Sequence, residues 1–531
     1  MDAINLTLKF VNQTSSTAAQ TGDFNIVIFM ILTLLTLTAL ILFKKNKRIA
    51  IITLSVIGIC LVTVPAFAQN TNKIFTTDKD IITTVKTDEA IKVEPCTLTN
   101  VSDKYYTTEN VKFKLTEEAQ KINGIENISF KVTGLENKDI APGESTVLNF
   151  ELSNINNQLA EKLNGINLYT ICITPVLSKE YKVTYNSGNT PYNTEIRGHV
   201  PVDKNFYHRG DQVTIADKNT LESYGLAFNG WSTDPKAKTG EFKAGSTATI
   251  ESDMTLYAIW KIKYDAHRGC QIWGPENSIA SFEAAAARHL WAIETDFRMS
   301  ADGQVYCIHD SSFNRTVVER HTHTPVSGYV KDYDSETIKR MEVAAVNSPK
   351  PDYPDFKPLY DYDKLDERQR SIPTMDDYFR ICSESGCFAF VELKENVVVP
   401  GYDPIIVQMN KCIEKYNMKG KVIISSSDFD LLSAYRDTGG QDLVHLIFGK
   451  ATDIDKMKDL GNSAIAFNYP DLDAPIDDFE YQGKKYTTHK EIVDLMHNLG
   501  MQVCFRAVDN EQMLKKSFEL GIDYFPTNSL W

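Results

Sequence analysis

Tyr264-Asp265-Ala266-His267-Arg268-Gly269, Ala292-Ile293-Glu294-Thr295-Asp296 and Val305-Tyr306-Cys307-Ile308-His309-Asp310 decide the fold of the C-terminal half. The first two are short apolar strands that end in polar residues. Pro275-Glu276-Asn277-Ser278 lies between them and reads as a helix start, so strand and helix alternate as in an α/β domain. The third stretch comes after Asp302-Gly303, a favoured two-residue hairpin turn. Such a turn pairs Ala301 with Gln304 and sets His309 opposite Asp296. A parallel crossover needs a dozen or more residues, so Val305 to His309 is the return of a hairpin and not the next parallel strand. Eight strand candidates remain: Tyr264–His267, Ala292–Asp296, Phe388–Lys394, Val422–Ser426, His445–Gly449, Ala464–Tyr469, Gln502–Ala507 and Tyr524–Thr527. Eight strands in residues 263–531 suit a TIM-type (β/α)8 barrel, a fold of about 250 residues.

His267-Arg268-Gly269, Pro275 to Ser278, Ser281-Phe282-Glu283, Ile293 to Asp296, Ala301-Asp302-Gly303 and Ile308-His309-Asp310 occur in this order and spacing. Together with Ile372-Pro373-Thr374 and Val391-Glu392-Leu393-Lys394 they closely resemble the glycerophosphodiester phosphodiesterase family. The resemblance covers about 263 to 528. It implies hydrolysis of glycerophosphodiesters to glycerol 3-phosphate and an alcohol. A lysophospholipase D or phospholipase C-like activity uses similar barrel chemistry. Outside enzymes, the alternative is an adhesin that uses the barrel as scaffold, which would need neither both histidines nor all three acids. The family commonly shows Trp-Thr after the seventh strand and Thr-Asp after the eighth. Phe505-Arg506 and Thr527-Asn528 stand there instead, which bears on substrate choice more than on the metal site.

The residue chemistry agrees with the resemblance. Glu294 and Asp296 stand two apart on a strand, so both carboxylates face one side of the sheet, with Cα atoms roughly 6–7 Å apart. Glu392, near the end of another strand, is the third. Like charges aimed into one barrel mouth repel unless a hard cation with oxygen ligands, Ca²⁺ or Mg²⁺, lies between them. The alternative for each is a solvated or hydrogen-bonded structural carboxylate. His267 and His309 can divide the two proton transfers of phosphodiester cleavage. Arg268 and Lys394 can neutralise phosphate oxygens, or serve as salt-bridge partners of the acids. His321 and His323 read as a solvated loop, and Cys270 and Cys307 as packed small residues. The Pro-, Asp- and Tyr-rich segment from Asn347 to Tyr362 reads as a lid or specificity loop.

Working toward the N-terminus, residues 181–262 change texture. Gly225 to Thr233 and Met254 to Trp260 resemble the β-rich Listeria–Bacteroides repeat of internalin-type surface proteins. Trp231 and Trp260 are its large anchors, with glycan binding as the rival use. Residues 69–180 show period-two strands such as Val147 to Leu152 and read as a β-sandwich-like module, with Asn156 to Leu163 a short helix. Cys96 and Cys172 are a candidate disulfide pair there.

Residues 1–68 carry the membrane signals. An apolar run from Ile26 to Phe43, long enough to span a bilayer, precedes Lys44-Lys45-Asn46-Lys47-Arg48. A second transmembrane or signal-peptide segment covers 49–68 and ends in Ala66-Phe67-Ala68. The two readings are a signal peptide cleaved after Ala68 and a two-helix anchor. Both place the chain beyond residue 69 outside the cell, at the membrane or cell surface. Expected partners are the membrane, a glycerophosphodiester such as teichoic acid or deacylated phospholipid, and a cell-wall glycan. Fifty-six basic against 70 acidic residues leave a formal charge of −14, so nucleic acid is excluded as a partner. Nine cysteines in 531 residues, with no CxxC pair, exclude a disulfide scaffold and a zinc ribbon.

Overall fold

The computed structural model describes residues 4–12, 74–86, 91–134, 139–345, 358–468, 472, 474–505 and 507–530. They divide into two compact units: Met1–Val183 with Asp203–Val213 and Thr247–Met254, and Thr184–Val202 with Thr214–Ser246 and Thr255–Trp531. The apolar segments at 26–43 and 49–68 lie outside the described residues. Among the described residues, no helix is long and apolar enough to cross a membrane.

The first unit is a two-sheet sandwich. A five-stranded sheet runs in the order Ile91–Val93, Ile81–Lys86, Ile4–Asn12, Asn167–Leu177, Tyr106–Leu115, and a four-stranded sheet in the order Phe75–Thr77, Cys96–Asn100, Ser145–Ser153, Ser129–Thr133. Alternation builds it: Leu148, Phe150 and Leu152 point inward along one strand while the residues between them are exposed. Ile4–Asn12, which precedes the two apolar runs within residues 1–68, is a strand of the five-stranded sheet and not part of a membrane segment. Leu6, Leu8 and Phe10 alternate into the core, and the strand pairs parallel with Ile81–Lys86 and antiparallel with Asn167–Leu177. The short helix is Asn157–Leu163, capped by the Asn156 side chain. Cys96 and Cys172 are free thiols, on strands of different sheets, so the candidate disulfide is not formed.

In the second unit, Leu226–Ser232 pairs antiparallel with Met254–Ile262, with a bulge between Phe228 and Trp231. Trp231 is fully buried and donates its indole N–H to the Ala216 carbonyl at 2.9 Å; Trp260 donates to the Ser187 carbonyl at 2.8 Å. Both are packed anchors.

The rest of this unit is the barrel. Its parallel strands are β1 (Tyr264–Ala266), β2 (Ala292–Met299), β3 (Phe388–Leu393), β4 (Val422–Ser426), β5 (Leu443–Ile447), β6 (Ser463–Phe467), β7 (Gln502–Phe505) and β8 (Phe525–Thr527). All eight overlap the strands expected from sequence, although β5 begins and ends two residues earlier and β2 runs on to Met299. The hydrogen-bonded order is β7-β6-β5-β4-β3-β2-β1-β8. Between β7 and β8 the ring is bridged by two backbone bonds, Asp523 N–H to the Val503 carbonyl and Val508 N–H to the Pro526 carbonyl. Strands β2 to β6 are almost wholly buried because helices cover them outside and side chains fill them inside.

The hairpin after β2 corrects the expected register by one residue. Ser300 N–H bonds the Gln304 carbonyl, closing a three-residue loop in which Gly303 takes a left-handed φ of 78°. Phe297 therefore faces Cys307, and Ile308 donates its N–H to the Asp296 carbonyl at 2.9 Å. Asp296 lies opposite Ile308, and His309 is one position on.

Candidate active site

Strand geometry brings three carboxylates together at the barrel mouth. Glu294 and Asp296 project from β2, and in the parallel register Asp296 stands beside Glu392 of β3. Each offers an oxygen, all within 4.8 Å of one another, and all three residues are buried. Burial, then the charges of Asp296, Asp265 and Glu392, push the Glu294 carboxyl well above the ordinary glutamate range. Burial and Asp296 push Glu392 upward as well. Asp296 goes the other way: burial opposes its charge, but Lys394, His309 and Arg268 outweigh burial and keep it anionic. Asp296 Oδ2 accepts from Asn277 Nδ2 at 2.9 Å. Oδ1 has Lys394 Nζ at 3.1 Å. Three crowded buried carboxylates supply the kind of oxygen ligands a hard divalent cation takes.

The turn after β1 supplies the next residues under visible strain. Arg268, Gly269 and Cys270 all take left-handed φ, at 51°, 83° and 68°. Only Gly269 does so without steric cost, and a Cβ there would meet Ser281 Oγ at 2.2 Å. The two non-glycine residues cost on the order of 1–3 kcal/mol each. The tight turn aims the Arg268 N–H at Glu294 Oε2, 2.6 Å away, and sends its guanidinium to Glu276 Oε1 at 3.2 Å and toward Asp296 Oδ2 at 3.8 Å. Lys394 contacts Glu392 Oε1 and Asp296 Oδ1. Both cations thus stand against the carboxylate cluster.

Each histidine has its Nδ1 engaged. His267 Nδ1 lies 2.6 Å from Asn528 Oδ1. The Asn528 amide is oriented by Asp509, which accepts from its Nδ2 at 3.1 Å and from its backbone N–H at 2.6 Å. With Nδ2 turned to Asp509, Asn528 presents an acceptor to His267, so His267 Nδ1 carries the proton. His309 Nδ1 lies 2.7 Å from Asp310 Oδ1. Asp310 in turn is gripped by Arg315, whose Nε donates to Oδ2 at 2.7 Å. His309 and Arg315 hold the Asp310 carboxyl well below the usual carboxylate range, against burial. Arg315 also makes two 2.7 Å bonds to Glu276, which joins it to Arg268.

The seven expected residues, His267, His309, Arg268, Lys394, Glu294, Asp296 and Glu392, are therefore brought to one end of the barrel. Residues 267–530 match the glycerophosphoryl diester phosphodiesterase family, and residues 181–259 match the Listeria-Bacteroides repeat domain. Residues 267–530 are a domain of the glycerophosphoryl diester phosphodiesterase family. Among relatives of this domain, a glycerophosphodiester phosphodiesterase of Caldanaerobacter subterraneus is 31% identical over 163 residues, 30% of this chain and 56% of the relative. One from Bacillus altitudinis is 24% identical over 263 residues, 49% of this chain and 92% of the relative. The chain thus spans little more than half the length of the Caldanaerobacter relative. An Oleispira antarctica phosphodiesterase solved with its product sn-glycerol-3-phosphate is 16% identical, with TM-score 0.38, covering 50% of this chain and 92% of that one.

Sequence reading missed part of the phosphodiesterase-family site. Asn277, Glu276, Asp310, Arg315 and Asp509 carry no expected role, although the first three stand inside the quoted motifs. Arg315 and Asp509 become visible only through contacts over 39 and 19 positions of chain, for which a single sequence gives no signal. His323, read as part of a solvated loop, has its Nδ1 3.0 Å from the buried carboxylate of Glu342, which also receives the Tyr362 hydroxyl and faces Arg370 Nε at 3.2 Å. Cys270 and Cys307 are packed as expected. Burial pushes the Cys270 thiol up to about 12 and the Cys307 thiol well above its ordinary value, so neither is a nucleophile. Residues 347–357 of the expected lid lie outside the described residues.

Proposed function

We propose that residues 263–531 hydrolyse glycerophosphodiesters to glycerol 3-phosphate and an alcohol, in a domain carried outside the cell. The observation that supports this best is the pairing of a buried three-carboxylate cluster with two histidines of fixed tautomer. Glu294, Asp296 and Glu392 would hold one divalent cation, Ca²⁺ or Mg²⁺. When bound, it supplies positive charge to the phosphate oxygens. Arg268 and Lys394 add donors for the same oxygens as charge develops. Nδ1 is engaged in both histidines, so Nε2 is the atom that exchanges protons with the substrate.

The partners of Nδ1 differ, and so do the roles. Asp310, held by Arg315, sets a carboxylate against the His309 ring and suits it to carry the proton that is donated; the Asn528 amide gives His267 only a neutral acceptor and suits it to start as the base. His267 takes the proton from the attacking oxygen, and His309 returns one to the leaving alkoxide. The apolar and basic N-terminal sequence supports placement at the membrane or cell surface. There teichoic-acid glycerophosphate and deacylated phospholipid carry the required diester. Choline release from glycerophosphocholine, measured with each cation and with a chelator, tests the reading. Turnover that needs the cation supports it. A folded chain inactive on a panel of glycerophosphodiesters with both cations present overturns it.

A further inference from the structure

A second site lies at the end of the barrel away from the carboxylates. A cavity of about 540 Å³ opens where the repeat section meets the residues that lead into β1, β7 and β8. That volume falls within the usual range of small-molecule sites. Arg197, Lys218 and Trp260 line it from the repeat; Lys263 and Asp523 line it from the barrel. The acids here are already satisfied. Glu222 Oε1 lies 3.4 Å from Arg197, and Asp523 Oδ2 receives the Val503 N–H at 2.8 Å and contacts His497 Nε2 at 3.0 Å. Neither lysine is in direct ion-pair contact with an acid. Lys218 Nζ donates only to the Leu221 carbonyl at 2.8 Å, and Lys263 Nζ rests 5.7 Å from the centre of the Trp291 ring. Among the described residues, neither has a carboxylate within the 4.0 Å ion-pair distance.

Burial pulls the Lys263 ammonium below the ordinary lysine range. Asp523 and Glu222 oppose burial, and Lys218 and Arg197 add a smaller push in its direction. A half-buried cation without a counter-ion destabilises a fold, and a cavity beside it gives room for one. We propose that this cavity binds an oxyanion, phosphate or carboxylate, borne on a sugar or polyol chain, with Lys263 and Lys218 as its charge partners. Phe228 and Trp260 form the wall for the carbon skeleton. The site is separate from the hydrolytic mouth and would hold the domain on an anionic polymer whatever the mouth cleaves.

The test is calorimetric titration of the full chain with two probes, a glycerol phosphate oligomer and a galacturonate oligomer. Lys263→Met and Lys218→Met should each weaken binding about tenfold or more, the worth of one charge-assisted contact. Glycerophosphocholine turnover should stay unchanged in both variants. A loss confined to one probe identifies the anion as phosphate or as carboxylate. Without probe, Lys263→Met should melt at or above the parent temperature, because it removes a charge that costs stability. Unchanged affinity in both variants, or no binding of either probe, overturns the proposal. So does a lower melting temperature for probe-free Lys263→Met, which would make the lysine a structural element.

Discussion

In the sandwich, Leu148, Phe150, Ile171 and Ile173 fill the space between two sheets. At the barrel mouth the buried positions are held by Glu294, Asp296, Glu392, Arg268 and Glu276. Apolar burial of the first kind is favourable wherever the pattern repeats, at roughly 25 cal/mol per Å². Burial of the second kind is unfavourable unless each charge finds a partner. The mouth finds partners for most of its charges, through Arg315, Glu276, Arg268 and Lys394, and leaves the three carboxylates crowded together. Order in the sandwich comes from side-chain shape. Order at the mouth comes from a chain of ion pairs around three crowded carboxylates.

The largest expected effect is on chemistry alone. His309→Ala should lower turnover by about 10² to 10⁴, the usual worth of a general acid or base, with the melting behaviour of both units retained. A variant with near-parental turnover would break the assignment of proton transfer to the mouth. Next comes the reverse case. Leu148→Ala removes a fully buried side chain from the sandwich and should cost it about 2–5 kcal/mol in denaturant unfolding. Glycerophosphocholine turnover at 25 °C should not change. Loss of turnover in step with sandwich stability would show that the two kinds of burial are not separable.

A smaller effect appears with pH in the absence of cation. Glu294 and Glu392 have raised pKa values in the fold, so the folded chain keeps protons that the unfolded chain releases. Stability then falls as pH rises from the ordinary glutamate range, near about 4.3, through the raised folded values. Asp296 and Asp310 are depressed, so their contributions change only at lower pH, outside this window. Thermal melts of the chelated protein from about pH 5 to about pH 8 should show the barrel transition falling, and a saturating divalent cation should reduce that slope. A chelated barrel transition that rises with pH across this window would contradict the crowding of the carboxylates.

The barrel was legible because parallel strands buried on both faces leave short apolar runs bounded by helix starts, as in Val422–Ser426 and Gln502–Phe505. The carboxylates and histidines were legible because they stand at strand ends and turns that repeat a family's order. Their supports were not. Arg315, Asp509 and the swing of Asn528 toward His267 depend on loops meeting in space. The hairpin shows how fine the limit is: a third loop residue, Ala301, Asp302 and Gly303 together, moved the register by one and set Ile308 opposite Asp296 in place of His309. Ile4–Asn12 was illegible for another reason. Its alternation is plain, but its partners lie beyond the two apolar runs that dominate the reading of that end.

In the proposed mechanism carboxylates would hold the cation and histidines would move the protons. Calorimetric titration of Ca²⁺ and Mg²⁺ into Glu294→Gln, Asp296→Asn, Glu392→Gln, His267→Ala and His309→Ala tests it most directly. The three carboxylate variants should bind the cation more weakly and regain part of their turnover when it is raised, by mass action. The two histidine variants should bind it nearly as the parent does and regain nothing. A histidine variant that loses cation binding as severely as Glu294→Gln would contradict the division of roles.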